Sequence, residues 1–204
     1  RDVAPSRGLG DVYKRQNLEL AGNVWKPILE YAESLNVKIA IENCPMLFTE
    51  DEWPGGKNIA VSPAIWRELF KRLPSEYLGL NFDPSHFIWQ EMDYIRPLYE
   101  FKDKIFHVHY KDIRVDKEAR NEVGVLATPL SYMVPCIPGH GDVNWARYIS
   151  ALLEIGYQGA ACIEVEDKSF EDNNENIENS LKISRQYLKQ FIHFPEKGRQ
   201  YAKD

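Results

Sequence analysis

Apolar positions along the chain follow two alternating patterns. From Gly22 onward, Trp25, Ile28, Leu29, Ala32 and Leu35 recur at helical spacing, and Asn36 ends the run. Val37 to Ile41 then forms a nearly unbroken apolar stretch, as in a strand buried on both faces, and runs into Glu42-Asn43. After a loop containing Pro45, Pro54, Gly55 and Gly56, Ser62-Pro63 reads as a helix start, with Ser as N-cap and Pro in the first turn. Ile65, Leu69, Phe70 and Leu73 supply that helix's apolar face, and Pro74 stops it. A second strand, Tyr77 to Phe82, runs into Asp83-Pro84-Ser85-His86. A short helix from Asp93 to Phe101 leads to a third strand, Ile105 to Asp112. Asn144 caps a helix with Trp145, Tyr148, Ile149, Leu152 and Leu153 on one face, closed by Gly156. The fourth strand, Gly159 to Ile163, ends at Glu164. A final helix from about Asn176 to Ile192 turns Ile177, Leu181, Ser184, Leu188 and Phe191 inward.

Apolar strands alternating with amphipathic helices imply βαβ units and a parallel sheet. The connection from Ile113 to Asp142 stands apart. It has no clear periodicity, contains Pro129, Pro135 and Pro138, and reads as a functional or mobile loop. Residues 1–16 show neither period and resemble translated adapter sequence, so they are expected to be a non-native or disordered segment, and the natural start of the chain is expected to be missing. Residues 17–194 are expected to form the domain, and 195–204 a frayed tail.

A 204-residue chain is long enough for one domain with a real core. A net charge of −6 without a basic stripe argues against nucleic acid or an anionic membrane as partner. No apolar run approaches the roughly 20 residues of a membrane span. Three cysteines, Cys44, Cys136 and Cys162, form no Cys-x-x-Cys, which fits reduced thiols and a cytoplasmic protein.

The chemistry gathers where the strands end. His107, His109 and Lys111 share one face of the third strand, with Phe106, Val108 and Tyr110 on the other. The four strands finish on Glu42, Asp83, His109 and Glu164, at the carboxyl edge where parallel α/β folds bind ligands. Each has a bland alternative: Asp83 as a helix cap, Glu42 or Glu164 paired with a rim lysine, the histidines as hydrogen-bonded core groups. Together, three acids and one imidazole make a mixed oxygen and nitrogen set suited to Mn²⁺, Mg²⁺, Co²⁺ or Zn²⁺.

Ile-Glu-Asn at 41–43, Phe-Asp-Pro-Ser-His at 82–86, His-Val-His-Tyr-Lys-Asp at 107–112, Pro-Gly-His-Gly-Asp-Val-Asn-Trp at 138–145, and Gly-Tyr-Gln-Gly with Ile-Glu-Val-Glu-Asp at 156–167 resemble the xylose-isomerase-like sugar phosphate isomerase/epimerase family. The resemblance implies an α/β fold, the C-terminal half (strands five to eight) of a (β/α)8 TIM barrel. It implies that Glu42, Asp83, His109 and Glu164 hold one divalent metal, and that Glu42 and Glu164 also move protons next to a carbonyl through an enediolate. His86 would sit beside the substrate, with Lys111 and Arg114 as further substrate contacts. Arg114 does not fall cleanly on the family's arginine position, and it also suits a solvated surface.

The substrate implied is a sugar or polyol, phosphorylated or not, and such barrels often form homo-oligomers. The long connection would suit a larger substrate, so a keto-inositol dehydratase or keto-glycoside lyase on the same site is the alternative. An apurinic-endonuclease-like hydrolase, which needs about three zincs, and a non-catalytic subunit rank lower. His107 is expected to support a neighbour, His140 to sit in a turn, and Trp53, Trp89 and Trp145 to pack.

Overall fold

A computed structural model describes residues 6–46 and 58–192, with backbone alone for 6–13. Pro54, Gly55, Gly56 and Trp53 of the first loop, the tail 195–204 and residues 1–5 lie outside the described residues.

Helix α1 (Ser6–Ser34) leads into strand β1 (Ile39–Glu42), followed by α2 (Pro63–Arg72), β2 (Leu78–Phe82), α3 (Ser85–Ile88), α4 (Arg96–Glu100) and β3 (Ile105–Tyr110). Next come β4 (Asp112–Val115), α5 (Lys117–Val123), β5 (Met133–Cys136), α6 (Trp145–Glu154), β6 (Ala160–Ile163) and α7 (Asn174–Leu188). The main sheet has the order β1-β2-β3-β6, and every pairing in it is parallel. Its strands are the four expected from the apolar runs.

The outer face of this sheet carries the core. Trp66 of α2 is fully buried and meets Phe82, Phe87 and Phe101 edge-on. Tyr148 and Trp145 of α6 close the other side over Tyr110. Aromatic rings in these tilted arrangements add about 0.5–1.5 kcal/mol per pair beyond their burial.

The connection from Ile113 to Asp142 is not a bare loop. Strands β4 and β5 pair antiparallel, with Ile113 opposite Pro135 and Val115 opposite Met133. Ile113, Tyr132 and Met133 bury Trp89 in a second small core. Four-residue strands interrupted by Pro135 are too short to show a period, which is why the sequence pattern hides them.

Helix α1 also differs from expectation. Its backbone is helical from Ser6, well before Gly22. Extending a formed helix fixes one residue per added hydrogen bond, and no proline intervenes before Leu18, which is buried. Ile28 and Leu35 are exposed where the spacing suggested a buried face, as are Leu153 of α6 and Leu181 of α7. Leu29 and Ala32 alone of the expected α1 residues are fully buried. Helix α1 packs against α2 and sends Leu29 into the main core. Asn36 does end the helix, at φ 54°, and Gly156 closes α6 at φ 69°.

Candidate metal centre

The outer strands of the sheet are three strand spacings apart, about 14 Å if it were flat. Yet one ligand atom from each of Glu42, Asp83, His109 and Glu164 lies within 4.8 Å of the other three. The sheet therefore curls, as in a barrel wall, and its four carboxyl ends aim at one point. Ligand atoms about 2.0–2.2 Å from a common ion would be separated by about 3–4.5 Å, so the spacing fits.

The details fit too. Asp83 is buried; its Oδ1 accepts from the Ser85 N–H at 2.8 Å, while Pro84 is the N-cap of the helix that follows and has no side-chain cap bond. Its Oδ2 has no hydrogen-bond partner, nor have His109 Nδ1 and Glu164 Oε2. The last two atoms form a close ion pair at 2.7 Å, and both face the centre of the cluster. Glu42 Oε1 is 3.3 Å from His109 Nδ1. Buried polar atoms left unpaired are costly, so a cluster of them calls for a cation.

The charges respond to one another. Burial works against ionised Glu42, but His109 and His86 outweigh it and hold the carboxyl well below its usual range. For Glu164 burial again opposes, and His109 with Lys111 prevails, so its pKa is lowered. Asp83 is raised because burial dominates. Burial disfavours charged His109, yet Glu164 and Glu42 lift it to about 10. His86 Nε2 lies 3.3 Å from Asp83 Oδ2 and 3.5 Å from Glu42 Oε1. Despite burial it is pushed up to about 10 by Asp83, the Cys44 thiol and Glu42. The buried ammonium of Lys111 contacts Glu164 at 3.4 Å and also pairs with Glu166. Its pKa is raised against the effect of burial by Asp83, Glu164 and Glu166.

Thus Glu42, Asp83, His86, His109, Lys111 and Glu164 come together. Arg114 does not join them; it lies exposed on the hairpin, opposite Val134. His140 sits in the turn with Gly139 (φ 96°), its ring near Phe170. Trp145 is packed in the main core and Trp89 in the second one, with Trp89 Nε1 3.5 Å from His86 Nδ1.

Several contributors escaped the sequence reading. Asp112 is a buried carboxylate that accepts from the N–H groups of Ile113, Gly139 and Val143 and from Trp145 Nε1, all at 2.8–3.0 Å. It ties the 137–145 loop to the end of β3, and a Cβ on Gly141 would fall 2.4 Å from its Oδ1. Asn58 donates to the carbonyls of Glu42 and Cys44, holding the end of β1. Asn81 lies between His107 and His109. A lone amide inside the apolar run Leu78 to Phe82 was the available signal for Asn81; nothing in the sequence distinguishes Asn58 or the Asp112 contacts.

A parallel α/β sheet curled toward a barrel, with three carboxylates and an imidazole converging at its carboxyl edge, marks an α/β protein of the barrel class with a candidate metal site. The pattern of the family described as xylose isomerase-like TIM barrel matches residues 3–189, and the chain belongs to that family. The uncharacterized protein YfiH of Bacillus subtilis is 30% identical over 196 residues, covering 90% of this chain and 56% of YfiH. An inosose dehydratase of Lactiplantibacillus plantarum is 27% identical over 117 residues, covering 56% of this chain and 38% of the enzyme. The chain thus spans about half the length, or less, of these curated relatives.

Among solved structures, the IolI protein with a bound zinc atom superposes with a TM-score of 0.62 at 19% identity, over 89% of this chain and 59% of that one. The 3-keto-D-glucoside 4-epimerase YcjR of E. coli gives 0.54 at 15%, over 85% and 55%. At these identities the likeness is one of fold. Among these similar proteins, the inosose dehydratase and the 3-keto-D-glucoside 4-epimerase are enzymes. Among the described residues no helix is long and apolar enough to cross a membrane.

Proposed function

We propose that the chain carries the metal site of a divalent-metal-dependent isomerase or epimerase, acting on a sugar or polyol by proton transfer next to a carbonyl. The supporting observation is the convergence of Glu42, Asp83, His109 and Glu164, with the two glutamates contributed by the opposite edge strands of the sheet. A divalent ion in this set would polarise a substrate carbonyl and acidify the neighbouring C–H. The metal would be Mn²⁺, Mg²⁺, Co²⁺ or Zn²⁺, as this mixed ligand set allows.

Glu42 and Glu164 reach the centre from opposite sides, so one takes a proton from the carbon and the other returns one to its far face. In the metal-free chain both carboxyls are lowered, Glu42 by His109 and His86 and Glu164 by His109 and Lys111, and a bound cation in place of the His109 proton would likewise favour their ionised forms. His86, with Nε2 3.3 Å from Asp83 Oδ2 and 3.5 Å from Glu42 Oε1, stands beside the centre and would donate a hydrogen bond to the substrate oxygen that gains charge. Lys111 contributes a fixed positive charge beside Glu164 and a contact for a hydroxyl. Arg114, exposed on the hairpin opposite Val134, has no assigned part in this proton transfer.

A second reading keeps the site and changes the outcome: elimination next to the carbonyl, as in a keto-inositol dehydratase or a keto-glycoside lyase. The inosose dehydratases among the relatives favour it. Both readings begin by removing the same proton. Incubation with a panel of keto-sugars and keto-inositols in D₂O, with Mn²⁺, tests them. Deuterium at the carbon next to the carbonyl supports proton transfer, and an unsaturated product assigns the elimination. Absence of exchange and of product across the panel would refute both.

A further inference from the structure

Lys111 is a buried ammonium with a carboxylate on either side. The residue is 4% exposed, whereas the Glu166 side chain that pairs with it is 50% exposed and reaches in from the rim. Glu164 stands opposite, with Oε1 3.4 Å from Lys111 Nζ. The two oxygens of Glu164 therefore meet different charges. Oε1 faces Lys111, and Oε2 faces the cluster, 2.7 Å from His109 Nδ1. Glu166 has no part in the proton transfer set out above.

Glu166 is held in place from both directions along the chain. Two residues before it, the Glu164 N–H donates to the Tyr110 carbonyl at 3.3 Å, which continues the β3–β6 pairing by one step. One residue after it, buried Asp167 accepts from the Ile137 N–H at 3.2 Å and from the Ser169 N–H at 3.0 Å. The segment is thus pinned at the strand end and at the loop that follows β5, and Glu166 meets Lys111 between these two anchors.

We propose that Glu166 is a positioning residue that takes up the charge of Lys111, so that Glu164 keeps its own charge for a cation at Oε2. The proposal rests on reading the four-residue cluster as a metal site. An ammonium and a metal cation on the two oxygens of one carboxylate repel each other and divide a single negative charge, and burial strengthens both effects. A buried ammonium must also have partners. Lys111 feels the charges of Asp83, Glu164 and Glu166, and of these three Glu166 alone lies outside the cluster. Without it, Lys111 would be neutralised entirely by two of the residues that a cation needs. An exposed ion pair contributes little to stability, but this one has a buried end, and its effect is to settle which carboxylate the ammonium occupies.

The test is a double-mutant cycle on Zn²⁺ affinity, measured by competition against a chelating dye, with wild type, Glu166→Gln, Lys111→Met and the double variant. Glu166→Gln should weaken Zn²⁺ about 10–100-fold, the range found when an outer partner of a metal ligand is lost. Lys111→Met removes the competing charge and should bind Zn²⁺ as tightly as wild type or more tightly. In the Lys111→Met background Glu166→Gln should change little, so the double variant recovers what the single one loses. The same loss in both backgrounds would show that Glu166 acts through its own charge or through the fold, and would overturn the proposal, as would wild-type affinity in Glu166→Gln. If Lys111→Met does not fold, Lys111→Gln takes its place in the same comparison. A wild-type chain that takes up no Zn²⁺ refutes the metal reading and the proposal together, which is distinct from a Zn²⁺ site indifferent to Glu166.

Discussion

Asn43 and Asp83 hold each other through both ends of one amide: Asn43 Nδ2 donates to the Asp83 carbonyl at 2.9 Å, and Asn43 Oδ1 accepts from the Asp83 N–H at 2.8 Å. Both residues are buried. The ladder between β1 and β2 ends at Glu42 and Asn81, so this side chain continues the pairing one step further, where two candidate ligands leave their strands. Replacing Asn43 by Leu strands two buried backbone groups. The expected cost is about 2–6 kcal/mol, at about 1–3 for each unsatisfied group. Urea unfolding should show it as a lower midpoint. Zn²⁺ affinity should fall too, because Asp83 loses its fixed position. An unchanged midpoint would mean that water replaces the amide.

Asp112 should behave differently. It gathers four hydrogen bonds and touches none of the four clustered ligands. Asp112→Asn places an NH₂ group against N–H donors and should destabilise the chain by about 3 kcal/mol or more, as expected for breaking buried bonds to a charged acceptor. Zn²⁺ affinity of the folded fraction should stay within a few-fold of wild type. The measurement is urea unfolding paired with a dye competition below the transition. A selective loss of Zn²⁺ binding with stability intact would contradict this assignment.

Much of the arrangement is written in the strands. Val37–Ile41, Tyr77–Phe82 and Gly159–Ile163 are nearly continuous apolar runs, and Ile105–Tyr110 alternates apolar residues with His107 and His109. Each leads to a polar residue at the sheet's carboxyl edge, so Glu42, Asp83, His109 and Glu164 could be picked out before any geometry was known. Local pattern does not reach the rest. The β4–β5 hairpin stands on pairing between residues some twenty positions apart and on burial of Trp89, neither of which leaves a period in four-residue strands. Asp112 acts through a loop whose approach depends on Gly141. The exposed apolar residues of α1 fit a helical period well, and only the packed structure shows that Ile28 and Leu35 lie outside the core.

The charge coupling in the site fixes the sign of a pH effect. His109 and His86 are raised in the folded chain from the ordinary 6.5 to about 10. Their ion pairs with Glu42, Asp83 and Glu164 therefore stabilise the metal-free fold fully below about pH 6.5 and progressively less as pH rises toward 10. The lowered carboxyls of Glu42 and Glu164 are the other ends of the same pairs, and they add a second loss in acid. Thermal midpoints of the metal-free chain should decline from pH 7 to 9. Saturating Mg²⁺ should flatten that decline, because the ion takes over the role of the His109 proton. A metal-free midpoint that rises over this interval would contradict the coupling.

The most direct measurement is a titration of the metal-free chain with Zn²⁺ by calorimetry at pH 7, in two buffers of different ionisation enthalpy. One ion per chain should bind, with proton release as His109 surrenders Nδ1. Glu164→Gln and His109→Ala should each abolish that binding or weaken it at least 100-fold, as expected for loss of one ligand in four. Three ions per chain, or full-strength binding in both variants, would show that Glu42, Asp83, His109 and Glu164 do not form a single metal centre.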